Sequence, residues 1–146
     1  PGHGQHYKSF SFKQIYSLKK LLRKLIKKYK INLKNVLGHS DIAPERKKDP
    51  GEKFPWKILA KAKLAHWHYL DEKNLEKFRK IQLTLNEKNQ FFKYLRRIGY
   101  KKINKKNIEI SKKLLIKAFQ RRFRQDLVDG NLDKECLLII KKLIKN

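Results

Sequence analysis

The chain has no methionine, one cysteine, four prolines and six glycines in 146 residues, and only 13 acidic residues against 39 lysines and arginines. Each shortage excludes something. The lone Cys136 has no partner for an internal disulfide, so a small fold stapled by disulfides is ruled out. No apolar run approaches the roughly 20 residues that a membrane-spanning helix needs. An apolar fraction of 40% with 11% aromatics is too high for a globally disordered chain. The absence of methionine, with a start at Pro1, implies a processed chain or the tail of a longer polypeptide.

The shortage of acid leaves a formal charge of +26. Such a charge favours anionic partners. Lysines outnumber arginines 31 to 8, however, and are spread over the whole chain. A phosphate-reading surface favours arginine forks gathered on one face. The charge therefore reads as a solvated lysine coat, with a general attraction to an acidic matrix such as a cell wall, and a nucleic-acid partner is not expected.

Apolar residues at Ile15, Leu18, Leu22, Leu25, Ile26 and Tyr29 recur at spacings of three and four, which predicts a helix over 13–29 capped by Ser11 and packed on a sheet. Val36-Leu37 reads as a short buried strand. Pro55 starts a short helix running to about Ala62. Residues 63–73 show no period. Beyond them the pattern is purely helical: Phe91, Leu95 and Ile98, stopped by Gly99; Leu114, Leu115, Ala118, Phe119 and Phe123; and Leu137, Ile140, Leu143 and Ile144 after a turn at 126–133. The expected fold class is α/β, a mixed sheet with flanking helices, followed by a small all-α three-helix bundle. The expected division is 1–66, a linker at 67–74, and 75–146.

Chemistry concentrates in the segment Gly38-His39-Ser40-Asp41-Ile42-Ala43-Pro44-Glu45-Arg46-Lys47-Lys48-Asp49-Pro50-Gly51. An imidazole and a carboxylate, both metal-ligand types, stand ten residues apart, and Lys47 lies two residues before the carboxylate. The loop is read as leaving the C-terminal end of a strand, where α/β folds carry function. Lys47 is placed to face negative charge developing on an attacked carbonyl. The pattern suggests a hydrolytic zinc site, but only part of one, because catalytic zinc takes three protein ligands.

This segment, extended by Phe54-Pro55-Trp56, resembles the zinc-dependent N-acetylmuramoyl-L-alanine amidases of the AmpD/AmiD type. The resemblance implies that His39 and Asp49 are zinc ligands and that Lys47 steadies the oxyanion. Asp41 and Arg46 match the motif as loop-structuring residues. Ile116-Lys117-Ala118-Phe119-Gln120-Arg121-Arg122-Phe123, with Val128-Asp129-Gly130-Asn131-Leu132-Asp133, is similar to the small helical peptidoglycan-binding module, and Leu95–Tyr100 resembles that module's first half. Together the two resemblances imply a bacterial hydrolase that cleaves between N-acetylmuramic acid, or its anhydro form, and L-alanine. Its partners would be peptidoglycan or muropeptides and its cofactor one Zn2+. The envelope, on the periplasmic side, is the expected compartment, with the cytoplasm as the alternative.

The family pattern also requires an early histidine and a glutamate that activates the attacking water. His3, His6, His66 and His68 do not match that histidine's position, and Glu45 does not match the base. Pro1-Gly2 resembles a stretch that follows the glutamate, so both missing groups are expected before Pro1, in a truncated chain. A non-catalytic peptidoglycan-binding remnant of a split or decaying gene is the alternative reading.

Overall fold

The computed structural model describes residues 8–103 and 106–145. Helix α1 (Phe12–Tyr29) opens with a capping box: the Ser11 hydroxyl accepts from the Gln14 amide, and the Gln14 side chain accepts from the Ser11 amide at 2.8 Å. Lys30 closes it in the left-handed conformation. A 3-10 turn (Leu33–Asn35) leads to the four-residue α2 (His39–Ile42), followed by α3 (Trp56–Lys61) and α4 (Glu72–Glu76). Three longer helices complete the chain, α5 (Leu85–Arg97), α6 (Ile108–Phe123) and α7 (Lys134–Lys145). Helix α5 starts on a second capping box, Thr84 with Glu87, and ends before Gly99, whose φ of +101° suits glycine.

The expected α/β fold with a mixed sheet is overturned. Among the described residues the architecture is helical, and strand-type pairing is limited to one isolated antiparallel bridge between Gln82 and Asp133. Val36 has extended torsions and caps the 3-10 turn, while Leu37 is 47% exposed. A strand exists only if a neighbouring backbone takes up its hydrogen bonds, and the described residues place none beside Val36-Leu37. Helix α1 accordingly lies on helices and loops. None of its residues is fully buried, and Leu18, Leu22 and Ile26 are half-buried against the core.

One hydrophobic cluster runs through the molecule, from Trp56, Leu59 and Trp67 to Phe119, Ile140 and Leu143. An aromatic row fixes its middle: Phe91 meets Phe119 edge-on with centroids 5.2 Å apart, Phe119 meets Phe123 at 5.2 Å, and Phe123 meets Trp67 at 5.9 Å. Trp67 and His68, in the segment expected as a linker, are both buried. His68 Nε2 donates to the Phe123 carbonyl at 3.2 Å while Nδ1 accepts from the Leu70 amide at 3.1 Å, an arrangement that requires the neutral ring.

The turn at 126–133 is held from within by Gln120. Its amide nitrogen donates to Asp129 at 2.9 Å and to the Asn131 carbonyl at 2.8 Å, and its oxygen accepts from the Gly130 amide at 2.8 Å. The buried Arg124 then ties Asp129, Asp133 and Glu135 together, and Arg79 reaches Glu135 at 2.7 Å from the other side. These bonds give a physical reason for the Ala-Phe-Gln and Asp-Gly-x-Leu-Asp stretches to occur in one chain: the glutamine of the first is the internal scaffold of the second.

Candidate functional site

Helix α2 is too short to be stable alone and is held by its surroundings. The Asp41 carboxylate reaches back to accept from the Gly38 amide at 2.8 Å, closing the turn from inside. Gly38 is needed for its size: a Cβ there would lie 2.5 Å from Pro50 Cδ and 3.3 Å from the Trp56 ring. The Ser40 amide donates to the Asp49 carbonyl at 2.9 Å, which draws the end of the loop back onto the start of the helix. Between these ties the chain turns through Pro44–Arg46, with the Lys47 amide donating to the Ala43 carbonyl at 2.9 Å.

This framework brings two of the three expected site residues together. His39 Nδ1 and Asp49 Oδ2 are in direct contact, their side chains 71% and 54% exposed. His39 therefore stands at the first position of a helix rather than on a loop after a strand. The Asp49 carboxyl is held below the usual carboxylate range, chiefly by its hydrogen bond with His39, with a smaller contribution from the Lys47 charge. Lys47 is exposed beside the pair. Among the described residues, no cluster of three or more His, Cys, Asp and Glu side chains forms a candidate metal site. His3 and His6 lie outside the described residues. His68 has both ring nitrogens engaged, and His66 Nε2 contacts the Leu143 carbonyl at 3.4 Å. Glu45 accepts from the Ser111 hydroxyl at 3.4 Å.

The inner face of α2 carries residues whose role the sequence does not announce. The Tyr100 hydroxyl donates to Asp41 at 2.7 Å, and the Arg122 guanidinium lies 3.6 Å from the same carboxylate. Arg122 also stacks on the Trp56 ring at 3.4 Å. Burial, together with the negative Asp41, pushes the Tyr100 phenol well above its ordinary value. One signal was available: Arg122 lies three residues after Phe119 and seven after Leu115, on the apolar stripe of α6, where a cation must find compensation. Farther along, Gln125 Nε2 donates to the Glu52 and Phe54 carbonyls, both at 2.8 Å. The C-terminal end of α6 thus holds the segment that follows the His39–Asp49 loop.

Residues 2–52 match the family of N-acetylmuramoyl-L-alanine amidases. The chain is 31% identical over 141 residues to the N-acetylmuramoyl-L-alanine amidase AmiD of Escherichia coli, a match covering 97% of this chain and 51% of AmiD. It is 41% identical over 54 residues to the 1,6-anhydro-N-acetylmuramyl-L-alanine amidase AmpD of Haemophilus influenzae, covering 36% of this chain and 29% of that protein. Among solved structures, it is similar to E. coli AmiD in complex with the substrate anhydro-N-acetylmuramic acid-L-Ala-D-gamma-Glu-L-Lys, with a TM-score of 0.81 and 31% identity over 96% of this chain and 54% of that one. AmpDh3 of Pseudomonas aeruginosa in complex with anhydromuramic pentapeptide gives a TM-score of 0.79 at 30% identity, over 96% and 55% of the two chains. The chain thus spans about half the length of AmiD, the relative it matches along nearly all of its own length. By the match of its His39–Asp49 segment and by its likeness to AmiD in sequence and in fold, the chain is similar to the N-acetylmuramoyl-L-alanine amidases AmiD and AmpD.

Proposed function

We propose that this chain is part of a zinc-dependent N-acetylmuramoyl-L-alanine amidase that hydrolyses the amide between muramic or anhydromuramic acid and L-alanine in peptidoglycan or muropeptides. The observation that carries the proposal is the convergence of His39 Nδ1 and Asp49 Oδ2 inside the segment that matches the family. As a donor set, an imidazole nitrogen and a carboxylate oxygen suit Zn2+. Both side chains are open to solvent, and the Asp49 carboxyl is held in its charged form. His39 and Asp49 would hold the ion together with a third protein ligand. When bound, zinc would polarise the scissile carbonyl and make water nucleophilic at neutral pH.

The remaining roles fall to the chain's own residues. Lys47 supplies an exposed cation at the edge of the pair, suited to the oxygen of the attacked carbonyl as it gains negative charge. Asp41, Tyr100 and Arg122 position α2, and through it His39, from the buried side. In this reading residues 1–66 serve the chemistry and residues 75–146 hold the wall polymer, joined through 67–74. The cell envelope, on the periplasmic side, is the compartment that suits a wall-binding portion. No described helix is long and apolar enough to cross a membrane.

The test uses the chain extended by the half of AmiD's length that lies outside the match. His39→Ala and Asp49→Ala should each abolish stoichiometric zinc, measured by metal analysis after dialysis; unchanged zinc content in either variant would refute the ligand assignment. Lys47→Ala should keep the zinc and lower turnover of an anhydromuropeptide by about a hundredfold. If the extended protein binds insoluble peptidoglycan yet releases no peptide with zinc supplied, the alternative of a non-catalytic wall-binding protein holds.

A further inference from the structure

Both ends of the His39–Asp49 segment are held by one short stretch of chain at the end of α6. Asp41, two residues after His39, faces Arg122 at 3.6 Å. Glu52 and Phe54, three and five residues after Asp49, offer their carbonyls to Gln125 Nε2, both at 2.8 Å. Arg121 Nε approaches the Glu52 carboxylate at 3.6 Å. Residues 51–55 form no helix or strand, so their position depends on such ties.

Gln125 is itself held from both sides along the chain. The buried Arg124 before it is bonded to Asp129, Asp133 and Glu135, and Asp126 after it is paired with Arg79. The amide nitrogen is the end of Gln125 that meets both oxygens, because a backbone carbonyl accepts and never donates. The grip passes inward through Trp56, two residues beyond Phe54. Its ring carries the Arg122 guanidinium at 3.4 Å and lies against Gly38, where a Cβ would stand 3.3 Å from the ring and 2.5 Å from Pro50. The stretch that matches the amidase family ends at Glu52, whereas Gln125 lies 73 residues farther along the chain.

We propose that Gln125 is a positioning residue for the His39–Asp49 pair. It sets the Asp49 end of the segment while Arg122 sets the His39 end, so the spacing of the two side chains is fixed by the C-terminal portion. This rests on the reading of His39 and Asp49 as zinc ligands. Ligand side chains must be held to within about 0.5 Å by the residues behind them. The portion assigned to the wall polymer then also completes the support of the metal site, from outside the family segment.

The experiment compares the wild type with Gln125→Glu, which keeps the shape and loses the donors, and with Gln125→Lys, which restores a donor. In the chain itself the reporter is hydrogen exchange of the Ser40 amide, whose bond to the Asp49 carbonyl closes the segment. The reference is the amide of Ile140, buried in α7. In Gln125→Glu, exchange at Ser40 should rise about tenfold more than at Ile140, and Gln125→Lys should restore it; a contact that only stabilises the fold would move both amides together. In the chain extended by the half of AmiD's length outside the match, chelator competition should show Gln125→Glu binding zinc about tenfold more weakly at unchanged stoichiometry, with recovery in Gln125→Lys. An equal rise at Ser40 and Ile140 would overturn the proposal, as would equal zinc affinity in the wild type and Gln125→Glu. An extended wild type that takes up no zinc would instead refute the ligand reading, and exchange at Ser40 would then decide the positioning role alone.

Discussion

His39 and Asp41 stand two residues apart on α2, each facing an ionisable partner, in opposite environments. The His39 and Asp49 side chains are 71% and 54% exposed, whereas those of Asp41 and Arg122 are 4% and 2% exposed. In the exposed pair, solvent competes for both groups, so the contact contributes little to folding. In the buried set, the charges have lost their water, and each depends on the other and on Tyr100 and Gly38 for compensation. One turn of helix thus separates a solvent-facing pair from a buried anchor. The division teaches that the exposed pair need not be stabilising, because the residues behind it hold the turn.

The largest effect should come from breaking the inner side. Asp41→Ala would leave Arg122 buried without its counter-charge and remove the cap on the Gly38 amide, a loss of about 3–5 kcal/mol measured by chemical denaturation. A loss near zero would show that the inner set does not anchor α2.

The histidines offer the same contrast. Burial holds the His68 ring neutral, with its pKa down to about 4. The unfolded chain takes up that proton near pH 6.5, so between these values the folded state binds fewer protons than the unfolded one. The contribution of His68 is therefore intact above about pH 6.5, and about 3 kcal/mol should be lost as the pH falls toward 4. Denaturation at pH 7.5 and pH 4.5 should reveal this slope, and His68→Gln should remove most of it.

A smaller effect is expected where the two sides meet. Gly38→Ala forces a methyl group against Pro50, which should cost about 1–3 kcal/mol and spread the ends of the His39–Asp49 loop. Weaker zinc binding alongside the lower stability would link the two sides; loss of stability with zinc affinity unchanged would separate them.

The smallest effect belongs to the outer pair. His39→Ala should change stability by less than about 0.5 kcal/mol. The Asp49 carboxyl, released from its hydrogen bond, should titrate closer to the ordinary carboxylate value, as followed by carboxyl carbon NMR. A large stability loss in this variant would erase the distinction between the sides.

Local signals made much of this legible in the sequence. The Ser11 and Thr84 caps, the stripe of α1 and the glycine stop after α5 act between residues three or four apart, and those contacts form wherever the segment lies. The segment that brings His39 and Asp49 together stood out for the same reason, since its residues lie within fourteen positions. The strand expected at Val36-Leu37 failed because pairing depends on a distant backbone that the pattern does not specify. Trp67 and His68 looked like part of an aperiodic linker because their burial comes from α6, more than fifty residues away.

By itself the sequence determined the helices, their caps and the two metal-ligand types with a lysine between them, because propensity, capping and residue chemistry are properties of neighbours along the chain. Only the tertiary structure decided that His39 faces solvent while Asp41 faces the core. It also decided that Tyr100 and Arg122 close over Asp41 from fifty-nine and eighty-one residues away. The physical reason is that desolvation makes these partners matter: a carboxylate in water is indifferent to a distant arginine, and one enclosed by the fold is not.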